Sequence, residues 1–222
     1  MQVIRSSNDR VVLLPFRGLY RTLVDEFQLE NEASMTVFAV AFGANLPMGE
    51  VLPMETLNQA LSQLSENSSI RYLSRSRLYR SPAYPPGSGP DFVNGAALFT
   101  AEIPAEGILE LLHATEETLG RARQWRWAPR VCDLDLLFLG QTILPDRDTC
   151  AEWMALDKGR AQTVTPPHLI LPHPRMQERA FVLLPLAEIA PDWRHPLTDQ
   201  TVSEMVAALP EADLQQLEPI EE

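Results

Sequence analysis

The chain has 222 residues, 45% hydrophobic and 22% charged, which is ordinary globular usage and enough length to bury a core without disulfide or metal staples. Thirty acidic against eighteen basic side chains leave a net charge of −12, which argues against duplex nucleic acid or an anionic membrane as the main partner. Cys132 and Cys150 make no disulfide framework, no apolar run approaches the roughly 18 residues of a membrane span, and the first residues lack the zones of a secretory signal, so a cytoplasmic protein is expected. Lys158 is the only lysine; no Gly-rich loop ends in Lys-Ser or Lys-Thr, a P-loop is excluded, and any bound phosphate must be held by arginine.

Residues 1–34 mix Arg with Asp and Glu and read as a loosely docked or disordered extension, with a short amphipathic helix possible over Gly18–Leu29. TVFAVAF (Thr36–Phe42) is a short apolar run of strand formers followed by the turn-like Gly43-Ala44-Asn45. Leu52, Leu57, Ala60, Leu61 and Leu64 recur at helical spacing over residues 50–65, and Ile70–Arg80 alternates as one strand. SPAYPPGSGPD (Ser81–Asp91) holds four Pro and two Gly and is predicted to be a loop, long enough to be a binding loop. Phe92–Glu102 is the next strand, Pro104–Leu119 the next helix with Pro at its start, and Asp133–Leu139 a strongly apolar strand headed by acids. Residues 145–164 are polar and irregular, a surface insertion. Helices follow over Ala180–Ile189 and Val202–Leu209, before an acidic tail at 211–222. The order is βαββαβ: an α+β, ferredoxin-like core whose antiparallel sheet carries helices on one face, plus C-terminal helical additions, with a single domain over 35–210.

The chemistry concentrates in GRARQWRWAPRVCDLDLLFLG (Gly120–Gly140), where Arg121, Arg123, Arg126 and Arg130 are interleaved with Trp125 and Trp127 and lead into Asp133 and Asp135. On a strand, residues two apart share a face at roughly 7 Å, so the two acids project together while Cys132, Leu134 and Leu136 point the other way. Paired carboxylates on a buried strand need cations: either arginines, as a structural ion-pair network, or a hard ion such as Mg²⁺, which takes carboxylate and phosphate oxygens. Four arginines directly upstream favour a polyphosphate site, because guanidinium forks match phosphate oxygens. LPHPRMQERAF (Leu171–Phe181) adds His173, Arg175, Arg179 and Phe181. Asn94 is disfavoured within a strand, shares a face with Phe92, and offers a donor and an acceptor to a heterocycle edge. Phe92, Phe181 and Trp127 offer flat apolar faces, although core burial is the ordinary fate of Phe. His113, His168 and His195 read as structural.

Taken together, these segments resemble the 6-hydroxymethyl-7,8-dihydropterin pyrophosphokinase family of folate biosynthesis. The resemblance is carried by residues 126–137 (RWAPRVCDLDLL), AFGANL (Ala41–Leu46), SRLYRSPAY (Ser76–Tyr84), DFVNGAA (Asp91–Ala97) and residues 171–191, in the family's order and over about residues 36–210. It implies transfer of pyrophosphate from ATP to the pterin hydroxymethyl group with release of AMP. It further implies that Asp133 and Asp135 hold two Mg²⁺ ions, and that Glu116, Arg121, Arg123, Trp127, Arg130, His173 and Arg179 contact the nucleotide, with Arg121 and Arg130 nearest the transfer. Asn94 would read the pterin edge, Phe92 and Phe181 would sandwich it, Ser81, Pro82 and Tyr84 would line its pocket, and Trp127 would close over it. A monomer acting on these two small molecules, with no nucleic acid and no membrane partner, is expected. Three other readings are weaker. A nucleotide-sugar transferase lacks its alternation of parallel strands and helices here. An RNA-binding module of the same fold is disfavoured by net acidity and by the lack of a strand-borne aromatic RNA motif. A catalytically inactive relative would have no need of both acids and the arginines.

Overall fold

In a computed structural model the chain is described over residues 35–83, 87–120 and 131–221. The elements in chain order are β1 (Thr36–Ala44), α1 (Pro53–Ser65), β2 (Ile70–Arg75), β3 (Tyr79–Ser81), β4 (Phe92–Ala101), α2 (Ala105–Thr118), β5 (Asp133–Leu139), α3 (Arg147–Met154), α4 (Lys158–Thr163), α5 (Ala180–Ile189), α6 (Val202–Ala208), α7 (Glu211–Leu214) and β6 (Glu218–Pro219). All strand pairings are antiparallel, in the order β5-β1-β4-β3-β6, with β2 also pairing β4. The core is the expected βαββαβ arrangement with one refinement. The strand read as continuous from Ile70 to Arg80 is divided at Ser76–Leu78, where the Ser76 hydroxyl accepts the Ala96 amide at 3.0 Å and donates to the Arg77 carbonyl. A side chain has taken the ladder position, so β2 pairs with one half of β4 and β3 with the other.

The two helices of the βαββαβ core lie on one face of the sheet, as expected, and the C-terminal helical additions cover the other. On the first face Phe38, Val40 and Phe42 of β1, Ala97 and Phe99 of β4, and Leu134 and Leu136 of β5 meet Leu57, Leu61 and Leu64 of α1 and Ile108 and Leu112 of α2. On the second, Val37, Ala39, Ala41, Ala96, Leu98 and Leu137 meet Val182, Leu183 and Leu186 of α5 and Met205 of α6. The C-terminal additions are therefore a third layer. They explain why β1 is buried almost end to end and reads as a continuous apolar run rather than an alternating one. Burial of this kind is worth about 1.5–3 kcal/mol for each large side chain and is the main force assembling the layers.

Two further expectations change. The stretch 145–164 is not irregular: Asp146 accepts the Thr149 amide to start α3, Asp157 accepts the Arg160 amide to start α4, and Cys150 is buried with its thiol against the Leu144 and Leu171 carbonyls. The two short helices escaped notice because few of their residues are buried, so no apolar period marks them. Residues 211–222 are not simply a tail, because α7 and β6 lie there and β6 pairs with β3.

Candidate active site

Four neighbouring strands bring the polar residues of the second face to one end of the sheet. Gly43 of β1 is paired with Asp133 of β5 on one side and with Asn94 of β4 on the other, and Asn94 in turn faces Tyr79 of β3. Strands lie about 4.8 Å apart, so the acids and Asn94 stand about 10 Å apart across a glycine floor. A Cβ at Gly43 would lie 3.0 Å from Asn94 Oδ1. Gly43 is the residue between the two groups that reading the residues one by one misses. Its signal is a glycine at the end of an otherwise apolar strand, a position that marks the close approach of another group.

On the β5 side, Asp133 and Asp135 are half-buried and share their face with Leu137, while Cys132, Leu134 and Leu136 are buried on the other, as the period of two required. The strand is held at its head by Glu116 of α2, fully buried, whose Oε1 accepts the Leu134 amide at 2.8 Å. Glu116 thus fixes the backbone between the two acids. Arg179, at the start of α5, places Nη1 3.6 Å from Asp135 Oδ2 and its guanidinium 5.8 Å above the ring of Phe181. Burial pulls Arg179 below its ordinary pKa, and Asp135, then Asp133, are the main influences holding its proton on. Arg175 is engaged by Glu178.

His173 is pinned to β5 by its amide, which donates to the Leu137 carbonyl at 2.8 Å. Its Nδ1 accepts the Arg175 amide at 3.1 Å, which assigns the ring proton to Nε2. Burial, with the positive charges of Arg179 and Arg175 beside it, pushes its pKa down to about 3. At neutral pH it is an uncharged hydrogen-bond donor with a fixed tautomer.

On the β4 side, Asn94 Nδ2 donates to Ser81 Oγ at 2.9 Å, and both side chains are buried. That leaves Asn94 Oδ1 directed over the Gly43 floor. Phe92 is half-buried, Pro82 is exposed, and Phe181, the second residue of α5, is 39% exposed. An aromatic ring left in solvent beside polar groups, rather than in the core, is available for stacking. Asn45 Nδ2 donates to the Pro90 carbonyl, tying the Pro-rich loop to the end of β1. Behind the site, Glu188 of α5 accepts from the Arg77 amide at 2.9 Å, from the Arg77 guanidinium and from the Tyr79 hydroxyl, and so fixes α5 against β3. Burial, then the bond to Glu188, raises the Tyr79 phenol well above its usual range.

Asp133, Asp135, His173, Arg179, Asn94, Ser81, Phe92 and Phe181 therefore converge at one sheet end. Tyr84, Arg121, Arg123, Trp127 and Arg130, with Trp125 and Arg126, lie outside the described residues.

The family model for 7,8-dihydro-6-hydroxymethylpterin-pyrophosphokinase (HPPK) matches residues 39–191. The chain belongs to that family. Its sequence is 36% identical over 167 residues to the 2-amino-4-hydroxy-6-hydroxymethyldihydropteridine pyrophosphokinase of Synechocystis sp., covering 75% of this chain and 73% of that protein. It is 35% identical to the enzyme of the same name from Pseudomonas aeruginosa, covering 80% of this chain and 94% of that one. Among solved structures it resembles wild-type Plasmodium falciparum HPPK-DHPS with STZ-DHP, with a TM-score of 0.56 at 13% identity over 83% of this chain. This chain spans less than half of that solved chain, 45% of it, and the likeness is one of fold. The family's reaction is ATP-dependent pyrophosphoryl transfer to a hydroxymethyldihydropterin, in folate biosynthesis. No helix among the described residues is long and apolar enough to cross a membrane.

Proposed function

We infer that this chain transfers pyrophosphate from ATP to 6-hydroxymethyl-7,8-dihydropterin, giving AMP and the pterin diphosphate. The observation that carries the reading is the shared floor: Gly43 separates an acid-and-cation side from a buried amide-and-hydroxyl side on one face of one sheet. The first side suits phosphates and the second a flat heterocycle, about 10 Å apart.

The reaction joins the hydroxymethyl oxygen to the β-phosphorus of ATP, breaks the bond from that phosphorus to the α-bridging oxygen, and releases AMP and the hydroxyl proton. It needs alignment and charge stabilisation more than covalent help from the protein. Asn94 Oδ1 and the Ser81 hydroxyl would read the pterin edge, with Pro82 and Tyr84 beside them and Phe92 and Phe181 as stacking partners. Arg179 and the neutral His173 would donate to phosphate oxygens. The resemblance makes Glu116 a nucleotide contact; fully buried and bonded to the Leu134 amide, it would instead act on the nucleotide through β5, whose head it holds. We assign Arg121, Arg123, Arg130 and Trp127 to the nucleotide side, with Arg121 and Arg130 nearest the transferred group.

The hard-oxygen, two-carboxylate donor set fits Mg²⁺, and Asp133 and Asp135 would hold two ions against the phosphates. Bound there, the metal would supply neutralisation of phosphate charge and in-line orientation. We place the site in a single domain that extends past the expected 35–210 to take in α7 and β6, acting as a monomer because one chain supplies both sides of the cleft. Two buried thiols, Cys132 and Cys150, suit a reducing cytoplasm.

The deciding experiment mixes the protein with Mg²⁺, ATP and 6-hydroxymethyl-7,8-dihydropterin and analyses the nucleotides, with a control lacking pterin. AMP formed only with pterin, and matched by pterin diphosphate, is expected. ADP, or no pterin-dependent turnover from folded protein, would overturn the reading.

A further inference from the structure

Ser81 sits at the end of a strand three residues long. So short a strand, paired on one side only, would fray, since most of its amides and carbonyls would face water. Here β4 holds one edge, through Tyr79, Arg80 and Ser81 against Asn94, Val93 and Phe92. The other edge is held by β6, with Tyr79 against Pro219 and Arg80 against Glu218, and the Ile220 amide donates to the Leu78 carbonyl at 2.8 Å. The strap is anchored on both sides of the sheet: Leu217 is buried in the second core, and Ile220 packs against the first. It lies beyond residue 191, outside the segment matched by the family model.

We propose that the C-terminal strap, residues 215–221, is a positioning element of the heterocycle pocket, setting the register of β3 so that Ser81 meets Asn94. The consequence is specific. Asn94 has Ser81 Oγ as the acceptor for its Nδ2, and that bond leaves Asn94 Oδ1 directed over the floor. If β3 slides or frays, the Asn94 amide loses its orienting partner, and recognition of the ring edge weakens. The acids of β5 sit three strands away from β3, beyond β4 and β1, and are untouched. The proposal rests on the assignment of Ser81 and Asn94 to the pterin side.

Two variants test it. Ile220→Pro removes the one amide that reaches Leu78 and leaves the rest of the strap in place. A chain ended after Leu214 removes the strap whole. Both are compared with wild type in steady-state kinetics, with each substrate varied in turn, and in amide exchange followed by mass spectrometry. The expected result is a KM for the pterin raised about tenfold in Ile220→Pro and further in the truncation, with KM for ATP and kcat within about twofold, the size expected for one lost orienting hydrogen bond. Exchange should quicken at residues 79–81 and stay slow in β5. A general loosening would instead lower kcat and raise both KM values together, and that result would overturn the proposal. Faster exchange in β3 with an unchanged pterin KM would overturn it as well, reducing the strap to an edge cover. Absence of pterin-dependent AMP from the wild type would defeat the functional reading, and this inference with it.

Discussion

The two faces of the sheet are built from the same strands and differ only at one end. On the first face the apolar series continues to the strand ends, with Phe42 and Ala44 of β1 and Leu134 of β5 all buried. On the second it runs through Val37, Ala39 and Ala41 and then stops, giving way to Gly43, Asn94, Ser81, Asp133 and Asp135. Because side chains alternate, neighbours in sequence face opposite ways: Leu134 is core between two acids, and Gly95 lies against Phe42 in the first core beside Asn94 on the second face. Stability and chemistry are thus separated across the thickness of one sheet, and substitutions on the two faces should fail in different ways.

The largest effect belongs to the polar end of the second face. Asp135→Ala should lower kcat by at least about 10²–10³-fold, the usual loss for one transition-state charge contact, with only a small change in melting temperature, because the carboxylate is half-exposed and its ion pair with Arg179 spans 3.6 Å. Full activity at saturating substrates would remove Asp135 from the mechanism.

A pair of glycines draws the contrast most sharply. At Gly43 a side chain would press on Asn94 Oδ1, so Gly43→Val should raise the KM for the pterin about ten- to a hundredfold at a modest stability cost. At Gly95 an added Cβ would fall 2.4 Å from the ring of Phe42 in the first core, so Gly95→Ala should cost about 1–3 kcal/mol of folding stability and leave the KM values alone. Urea midpoints and initial rates measured on both proteins check the pair. An exchange of these outcomes would mean that the faces are not divided as described.

Tyr79→Phe tests the boundary between the two duties. Its hydroxyl helps lock α5 to β3 through Glu188, which keeps three bonds from Arg77 when the phenol is lost. The expected cost is about 1 kcal/mol in a urea titration, with kcat unchanged.

Much of this division was legible in the residues. The alternation of acids and leucines over Asp133–Leu136 assigned the faces of β5 correctly, and Asn94 in a strand pointed to its own importance because an amide there needs a partner. The second helical layer was legible as helices but not as a layer. The apolar run of α5 carries the information that it is buried, not which surface buries it. The break at Ser76 was invisible because the hydroxyl substitutes for one ladder bond without disturbing the alternation on either side. Glu188 reads as an ordinary helix acid, and Glu116 is marked by the resemblance as a nucleotide contact, not as the residue that holds β5. Their partners lie more than 100 residues away in one case and 18 in the other, and no local pattern connects them. The same limit hid the strap, since a two-residue strand has no period to detect.

The smallest predicted effect concerns a histidine that takes no part in the site. His195 is fully buried on the second face, where its Nδ1 accepts the Leu197 and Thr198 amides and its ring meets the edge or face of Trp193 at 77°. Trp193 is itself stacked on Phe138 at 4.0 Å and bonded to the Gly140 carbonyl. Burial lowers the His195 pKa from its ordinary 6.5 to about 4, so the folded state favours the neutral ring. The unfolded chain therefore takes up the proton first as the pH falls. The contribution of this group to stability is whole above pH 6.5 and is progressively lost as the pH drops toward 4. Each pH unit inside that window is worth at most about 1.4 kcal/mol, so the step from pH 7 to 5.5 should remove about 1 kcal/mol through this ring. Urea midpoints at pH 7 and 5.5 for wild type and for His195→Asn isolate it. The variant starts lower at pH 7, having lost the packing on Trp193, but should lose less on acidification than wild type does. Equal losses in the two proteins would mean that His195 titrates normally in the fold, and that the second core is open to water where it now reads as closed.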